Sequence, residues 1–236
     1  MARRREKSGI VGQVFRGAGV LVVLVVLLSV ALVLPLQWFP PPTTAFMLQD
    51  QSGRVPVLYE WADWPSLGKN AAIAVVAAED QTFADHFGFD LKSIRESVES
   101  YGEGDSLRGA STITQQVAKN LYLWPGRSFV RKGIEAWFAL LIELFWTKER
   151  ILEVYLNIVE FGPGLYGAPA ASRVYFNKEP ADLRITEAAL LAAVLPNPRR
   201  LDASSPSEYV QERRRWIERH MLRMHREGWL TRISKN

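Results

Sequence analysis

The sequence predicts a mainly α-helical protein that begins with a single membrane-spanning helix. An uncharged stretch runs from Gly17 to Leu36, which is 20 residues. In the rest of the chain, apolar residues recur at the three- and four-residue spacing of helices, and strand-like alternation is rare. There is no cysteine, and the three histidines show no HExxH spacing. Disulfides, thiol nucleophiles and cysteine-bound metals are therefore excluded, and no metal site is predicted.

The uncharged stretch is long enough to cross a bilayer, since 20 helical residues span about 30 Å. Five basic residues lie before it: Arg3, Arg4, Arg5, Lys7 and Arg16. The positive-inside rule predicts that these lie in the cytoplasm and that everything after Trp38 lies outside. A cleavable signal peptide is the alternative, but its apolar region is usually about 7–15 residues and a small-residue cleavage site follows it. We predict a cytoplasmic basic tail (1–16), a transmembrane anchor (17–37), a linker (38–62) and a folded domain (63–236).

The folded domain is predicted to be a series of helices with polar caps. An Ala-rich apolar helix is expected over 69–79, an amphipathic helix over 91–101 and a glycine-rich loop over 102–109. Thr112, followed three residues later by Gln115, has the pattern of a capping box. Further N-caps are predicted at Ser128, Thr147, Thr186 and Ser207. The last of these helices should end at Gly228.

A carboxylate pair, Glu79 and Asp80, ends the Ala-rich helix. The negative end of the helix dipole and burial among nearby phenylalanines would both raise the pKa of a carboxyl group there. A pKa nearer neutrality suits a general base. The alternative is that both residues simply end a surface helix.

A polar stripe on a later helix consists of Arg150, Glu153 and Asn157. It could line a cleft that faces Glu79, or it could be an exposed face with an ordinary ion pair. Just upstream, residues 136–146 are apolar on nearly every face, which predicts either deep burial or contact with lipid.

Basic and amide side chains cluster between these two segments: Arg108, Gln115, Gln116, Lys119, Arg127, Arg131 and Lys132. Together with the net charge of +4, the cluster favours an anionic partner. Nucleic acid is disfavoured because the domain is predicted to lie outside the membrane and no recognition helix or stacking pattern is present. A diphosphate fits better, although any one of these residues could belong to a solvated charged face.

Motifs in the order and spacing of a known family connect these segments. They are EDxxFxxHxGxD from Glu79, GxSTITQQxxKN from Gly109, RKxxE from Arg131, RILExYLN from Arg150 and LLAAxLPxP from Leu190. On these residues, over about 63–200, the chain resembles the bacterial peptidoglycan glycosyltransferases of family 51. Ala110 departs from the glycine common there, and Asn177 departs from the common Tyr-Phe-Gly-Lys.

The resemblance implies a lysozyme-like fold with a small membrane-proximal lobe, lipid II as substrate and undecaprenyl diphosphate as product. It implies that Glu79 is the general base and Glu153 a second essential carboxylate. Around the donor's diphosphate and sugars it places Ser111, Gln115, Gln116, Lys119, Arg127, Arg131 and Lys132. Asp80, Arg150 and Asn157 stand in the same motifs and complete the predicted substrate-binding set. The resemblance implies no required cofactor, although a divalent cation, Mg²⁺ or Mn²⁺, could bind at the diphosphate. The role of Glu153 stays open among three: it could bind such an ion, orient Arg150 or assist the diphosphate.

The predicted location is the cytoplasmic (inner) membrane, with the catalytic domain in the periplasm or on the outer face. Expected partners are lipid II, the lipid-linked glycan chain and the membrane; other cell-wall synthesis and division proteins could join them, and nucleic acid is not expected. Two other functions stay open. A lysozyme-like hydrolase would use a carboxylate as an acid and would not need the basic cluster. A non-catalytic scaffold would not need Glu79 and Glu153.

Overall fold

The computed structural model describes residues 2–54, 56–95, 111–126 and 128–233. The predicted loop over 102–109, the end of the predicted helix over 91–101, and Arg108 and Arg127 lie outside these ranges. The chain divides into two compact units, Met1–Phe39 and Pro40–Asn236.

The first unit contains one long helix, α1 (Ala2–Val33), followed by a 3-10 helix, Leu34–Gln37. Within it, Arg16–Gln37 is long and apolar enough to cross a membrane, and it is the one such segment among the described residues. At about 1.5 Å per residue, its 22 residues span roughly 33 Å. The predicted apolar helix is therefore present at the N-terminus.

The second unit is mainly helical, as predicted. Its helices are α2 (Ala45–Leu48), α3 (Trp64–Leu67), α4 (Lys69–Glu79), α5 (Ile113–Tyr122), α6 (Phe129–Phe145), α7 (Lys148–Ile158), α8 (Ala168–Phe176), α9 (Ile185–Val194), α10 (Glu208–Arg226) and α11 (Leu230–Ile233). Residues 91–95 are also helical, and Pro180–Asp182 form a 3-10 helix.

Helix α4 forms the centre of this unit. All residues from 71 to 77 are buried, which accounts for the alanines and β-branched residues on every side of the helix. Helices α7, α9 and α10 pack against it. Because α4 ends at Glu79, the central helix of the fold delivers this carboxylate to its site.

The predicted N-caps are confirmed at four of five positions. Thr112 and Gln115 form the capping box of α5, and side chains cap three further helices at Ser128, Thr147 and Ser207. The prediction for Thr186 is wrong, because α9 begins earlier and its N-cap is Arg184. The Arg184 N–H donates to Glu187 at 2.9 Å, so a carboxylate of the first turn supplies the acceptor that Thr186 was expected to provide.

A small sheet was not predicted. Strand β1 (Leu58–Tyr59) pairs in parallel with β3 (Leu165–Tyr166), and β2 (Glu160–Gly162) pairs with β3 in the antiparallel direction. Strand β1 and helix α2 both lie in the predicted linker over 38–62, and the folded unit already includes Pro40. Part of the segment predicted as a linker is therefore folded. The sequence does not reveal this, because strands of two or three residues give no detectable alternation.

A buried lysine, Lys148, joins three helices to the loop that follows α4. Its Nζ donates to Glu143 Oε1 at 2.7 Å and to the carbonyl oxygen of His86 at 2.6 Å, and it lies 4.5 Å from the centroid of the Phe83 ring. Thr114 donates to the same Glu143 oxygen at 2.6 Å. These contacts connect α5, α6 and α7 to the segment after Glu79, and so hold that segment against the three helices.

Candidate active site

Glu79 lies at the C-terminal end of α4 with both carboxylate oxygens engaged. Oε2 accepts a hydrogen bond from Gln116 Nε2 at 3.1 Å, and Oε1 accepts one from Arg213 Nη2 at 3.2 Å. Tyr155 donates its hydroxyl to the other end of the Gln116 amide at 3.2 Å. The side chain of Glu79 is 16% exposed, so the carboxylate is largely buried but remains reachable.

Burial raises the pKa of Glu79 above its ordinary value. The hydrogen bond from Gln116 and the positive charges of Arg213 and Lys119 oppose this rise without cancelling it. A carboxylate whose pKa is raised but still balanced by cations suits a general base at neutral pH. The predicted direction of the shift is thus found, with burial as its main cause.

Asp80 adopts a different arrangement, directed into the fold. Its Oδ2 accepts the backbone N–H of Ile113, the first residue of α5, at 2.9 Å. His86 Nε2 lies 2.9 Å from Oδ1 and 3.0 Å from Oδ2. These contacts fix α5 against the end of α4, and the role predicted for Asp80 in binding substrate stays a prediction.

A cavity of about 310 Å³ opens beside Glu79. Its polar lining includes Glu79, Asp80, Gln81, Thr82, Asp90, Ser93, Ser111 and Thr112. Although burial acts in the opposite direction, hydrogen bonds from Ser93 and Thr82 lower the pKa of Asp90 to about 2. The described residues that line the cavity include no lysine or arginine, so this side of Glu79 offers hydroxyl groups and carboxylates, as a sugar requires.

Cations gather near Glu79 around a buried carboxylate, Glu135, and one of them reaches a residue of the cavity lining, Ser111. Arg131 Nη1 donates to Glu135 Oε2 at 2.9 Å, and Lys132 Nζ donates to Glu135 Oε1 at 2.5 Å and to the Ser111 hydroxyl at 3.1 Å. Burial lowers the pKa of Lys119, while Glu135 and Glu79 oppose that effect. The structure therefore brings Ser111, Lys119, Arg131 and Lys132 together, as predicted; Arg127 lies outside the described residues.

The two predicted glutamines have different surroundings. Gln115 is 4% exposed, and its amide oxygen accepts the backbone N–H of Thr112 at 3.2 Å within the capping box. It therefore supports the start of α5 from inside the fold. Gln116 faces Glu79 and is the glutamine that acts directly on the site.

The stripe of Arg150, Glu153 and Asn157 packs against residues 61–64 rather than lining the cavity beside Glu79. Glu153 Oε1 accepts the Trp64 N–H at 2.7 Å, and its Oε2 accepts from Arg150 Nη1 at 2.6 Å. Asn157 accepts the Ala62 N–H at 2.8 Å and donates to the Ala62 carbonyl oxygen at 2.9 Å.

The stripe and the Glu79 site lie on opposite faces of α7. Tyr155, two residues after Glu153, is the residue of this helix that reaches the Gln116–Glu79 pair. Two residues correspond to about 200° around a helix, so Glu153 points away from that pair. Neither of the two alternatives left open by the sequence is found: the stripe does not face Glu79, and Glu153 and Asn157 are buried rather than exposed. The polar atoms of the stripe hold the chain before α3 instead.

Three residues at the site were missed by the sequence analysis: Glu135, Tyr155 and Arg213. The position of Glu135 within the RKxxE motif was an available signal. Tyr155 is fully buried, and burial together with Glu79 and Asp80 raises its pKa well above the ordinary value. Its position within the RILExYLN motif was the available signal. Arg213 is one of several arginines in α10, and nothing in its spacing distinguishes it from its neighbours.

A metal centre has no obvious ligands here. Among the described residues, no three histidine, aspartate or glutamate side chains come together in a way that could hold an ion. The positive charge at the site comes from lysine and arginine.

Comparison with known proteins gives the family. The transglycosylase family model matches residues 52–222. A biosynthetic peptidoglycan transglycosylase of Stutzerimonas stutzeri is 52% identical over 215 residues, covering 89% of each chain. Proteins of the same name from Pseudomonas aeruginosa and Pseudomonas putida are 46% and 48% identical, covering 88% and 87% of this chain and 92% and 90% of their own. The resemblance noted in the motifs is thus confirmed, and this chain belongs to the transglycosylase family.

Proposed function

We propose that this chain polymerises lipid II into β-1,4-linked GlcNAc–MurNAc glycan strands and releases undecaprenyl diphosphate. The observation that carries the proposal is the position of Glu79, in a chain of the transglycosylase family. A hydroxyl-rich cavity lies beside this carboxylate, and a cluster of cations adjoins the cavity at Ser111. Such an arrangement suits a sugar in the cavity and a diphosphate at the cations.

The proposed reaction is a single displacement. The 4-hydroxyl oxygen of the GlcNAc of one lipid II attacks C1 of the MurNAc that carries the diphosphate of the growing chain. Glu79 takes the hydroxyl proton as the new C–O bond forms. The bond between C1 and the diphosphate oxygen breaks, and its electron pair leaves with the diphosphate. Attack from the opposite face converts the α-linked donor into a β-linked product.

The leaving diphosphate needs neutralisation of its charge rather than a proton. Lys119, Arg131 and Lys132 supply positive charge beside Glu79, and Glu135 holds two of these cations in place. Fixed cations of this kind stabilise charge that develops as the bond breaks. A requirement for Mg²⁺ or Mn²⁺ is tested by measuring polymerisation with and without a chelator, and no step above depends on a metal.

The membrane arrangement is proposed on two grounds. The segment Arg16–Gln37 is long and apolar enough to span a bilayer. The basic residues before it favour an N-terminus inside and a catalytic domain on the outer face. Helix α6 also shows an apolar face: Phe129, Val130, Leu140 and Leu144 are exposed and fall within about 100° of the helix circumference. Such an apolar face would contact lipid, where a lipid-linked substrate lies. A reporter that is active only outside the cytoplasm, fused to Asn236, tests the orientation, and an inactive reporter would reverse it.

The test of the activity is Glu79→Gln, assayed with lipid II and with finished peptidoglycan. Loss of the base lowers the polymerisation rate by about 10²–10⁴-fold. The variant should still bind a phosphoglycolipid inhibitor of the moenomycin type, because the cation cluster is intact. Glu212→Gln, which changes an exposed carboxylate on α10, is the matched control and should polymerise like the wild type. Wild-type turnover by Glu79→Gln, or cleavage of finished peptidoglycan in place of polymerisation, would refute the proposed function.

A further inference from the structure

The carboxylate of Glu79 is held from the C-terminal part of the chain as well as from α5. Arg213 on α10 donates from Nη2 to Glu79 Oε1 at 3.2 Å and to the carbonyl oxygen of Ala78 at 3.3 Å. The side chain of Arg213 is 24% exposed, so this contact is largely shielded from water. Arg213 is not among the described residues that line the cavity beside Glu79.

One guanidinium thus meets two negative groups at the end of α4. The Ala78 carbonyl belongs to the last turn of the helix, where carbonyl oxygens lack partners within the helix and the helix dipole is negative. The Glu79 carboxylate is attached to the same turn. A permanent cation is suited to this position because it offsets both at once.

The two hydrogen bonds to Glu79 come from different helices and reach different oxygens. Gln116 on α5 holds Oε2 and Arg213 on α10 holds Oε1. Rotation of the carboxylate would break at least one of them. The orientation of the carboxylate is therefore fixed only when both helices are in place.

We propose that Arg213 is a positioning residue for the catalytic base: it fixes the orientation of the Glu79 carboxylate and keeps that carboxylate ionised during turnover. The proposal rests on the proposed function, in which Glu79 accepts the proton of the acceptor hydroxyl.

The role of Arg213 differs from that of the other charged and titratable groups near Glu79. They are Lys119 from α5, Tyr155 from α7, and Asp80 with His86 from the following loop. Asp182 of the 3-10 helix and Glu187 of α9 belong to a segment that contacts the start of α4, at the other end of that helix. Glu187 is engaged with Lys178 and Arg184, and Asp182 is exposed. Burial raises the pKa of Glu79, and the charges of Arg213 and Lys119 both lower it.

Donor binding changes the balance between these two cations. Lys119 belongs to the cluster that faces the diphosphate, so its charge is shared with the donor once the donor binds. The negative diphosphate also disfavours ionisation of a nearby carboxyl group. Arg213, bonded to Glu79 and outside the cavity lining, is then the counter-charge that stays with the base.

The experiment is the pH dependence of kcat/KM for lipid II polymerisation by the full-length protein with Arg213→Gln, Arg213→Lys and Arg214→Gln. In Arg213→Gln, the acid limb of the pH profile, where activity falls because the base becomes protonated, should move to higher pH by about 1–3 pH units. This is the effect of losing a close opposite charge. At the wild-type midpoint, a shift of this size lowers the rate by about 5- to 500-fold. Arg213→Lys retains the charge and should keep the limb near its wild-type position, with a lower kcat because an ammonium group cannot reproduce the planar geometry of the guanidinium.

Arg214→Gln is the matched control on the same helix. Arg214 bonds Gln211 and Glu218 rather than Glu79, so its pH profile should match the wild type. If Arg213→Gln does not fold, Arg213→Met retains the packing of the aliphatic stem and replaces it in the same assay. A folded Gln or Met variant with an unmoved acid limb would overturn the inference. Activity retained in Glu79→Gln would instead remove the proposed function, so the two failures are distinguishable.

Discussion

Replacement of Asn157 by alanine separates a structural brace from a substrate contact. The Asn157 side chain is fully buried and makes three hydrogen bonds. It accepts the Ala62 N–H at 2.8 Å, and it donates to the Ala62 carbonyl oxygen and to the Glu153 carbonyl oxygen, both at 2.9 Å. At about 1 kcal/mol each, their loss lowers the free energy of unfolding by about 3 kcal/mol. For a domain of this size, the melting temperature should fall by about 6–12 °C.

Thermal unfolding of the full-length protein in detergent, followed by circular dichroism, measures this change. Asn70→Ala is the matched control, because Asn70 makes one comparable hydrogen bond, to the Leu183 carbonyl oxygen at 2.7 Å. It should lose about one third as much stability. Polymerisation by Asn157→Ala, measured well below its melting temperature, should stay near wild type. An unchanged melting temperature together with lost activity would show that Asn157 contacts substrate, as the sequence predicted.

Three further outcomes are expected. Because burial raises the pKa of Glu79, the acid limb of the pH profile of kcat/KM should lie above the pH of about 4.3 typical of a free glutamate. Protonated Glu79 stabilises the fold, and this stabilisation is lost as the pH rises through the folded-state pKa. At pH 7.5, Glu79→Gln should therefore have a melting temperature no lower than that of the wild type. Lys119→Ala should weaken binding of a moenomycin-type inhibitor by about tenfold or more in a competition assay, as loss of a charged hydrogen bond implies; unchanged affinity would place the phosphate elsewhere. Gly167→Ala should lower the melting temperature by at least about 4 °C, because Gly167 has φ +86° and an added Cβ would lie 2.5 Å from the Asn157 carbonyl oxygen; Gly133→Ala, which meets nothing within 4 Å, is its control.

The helices were predictable because local patterns specify them. The apolar run over 69–79 gave the bounds of α4, and Thr112 with Gln115 gave the start of α5. The strands were not predictable, because β1 exists only through its pairing with β3, more than 100 residues later. No window of local sequence contains that information.

The site was predictable in part for the same reason. Glu79 and the cations near Lys119 lie in short segments whose residue types suggest their chemistry. The direction that a polar residue faces depends on what packs against its helix, so the sequence left open which side Glu153 and Asn157 face. Arg213 is identified only by its contact with a residue 134 positions earlier.

Because 134 positions separate Glu79 from Arg213, the two residues are synthesised at different times. Translation proceeds at about 5–20 residues per second, so Arg213 is synthesised roughly 7–27 s after Glu79. During that interval the nascent chain already contains the residues of the cation cluster and of the cavity beside Glu79, but the carboxylate lacks one of its two hydrogen-bond donors. A chain interrupted before α10 would carry Glu79 without its contact to Arg213. The carboxylate thus gains its full set of contacts only when the helix near the C-terminus has docked.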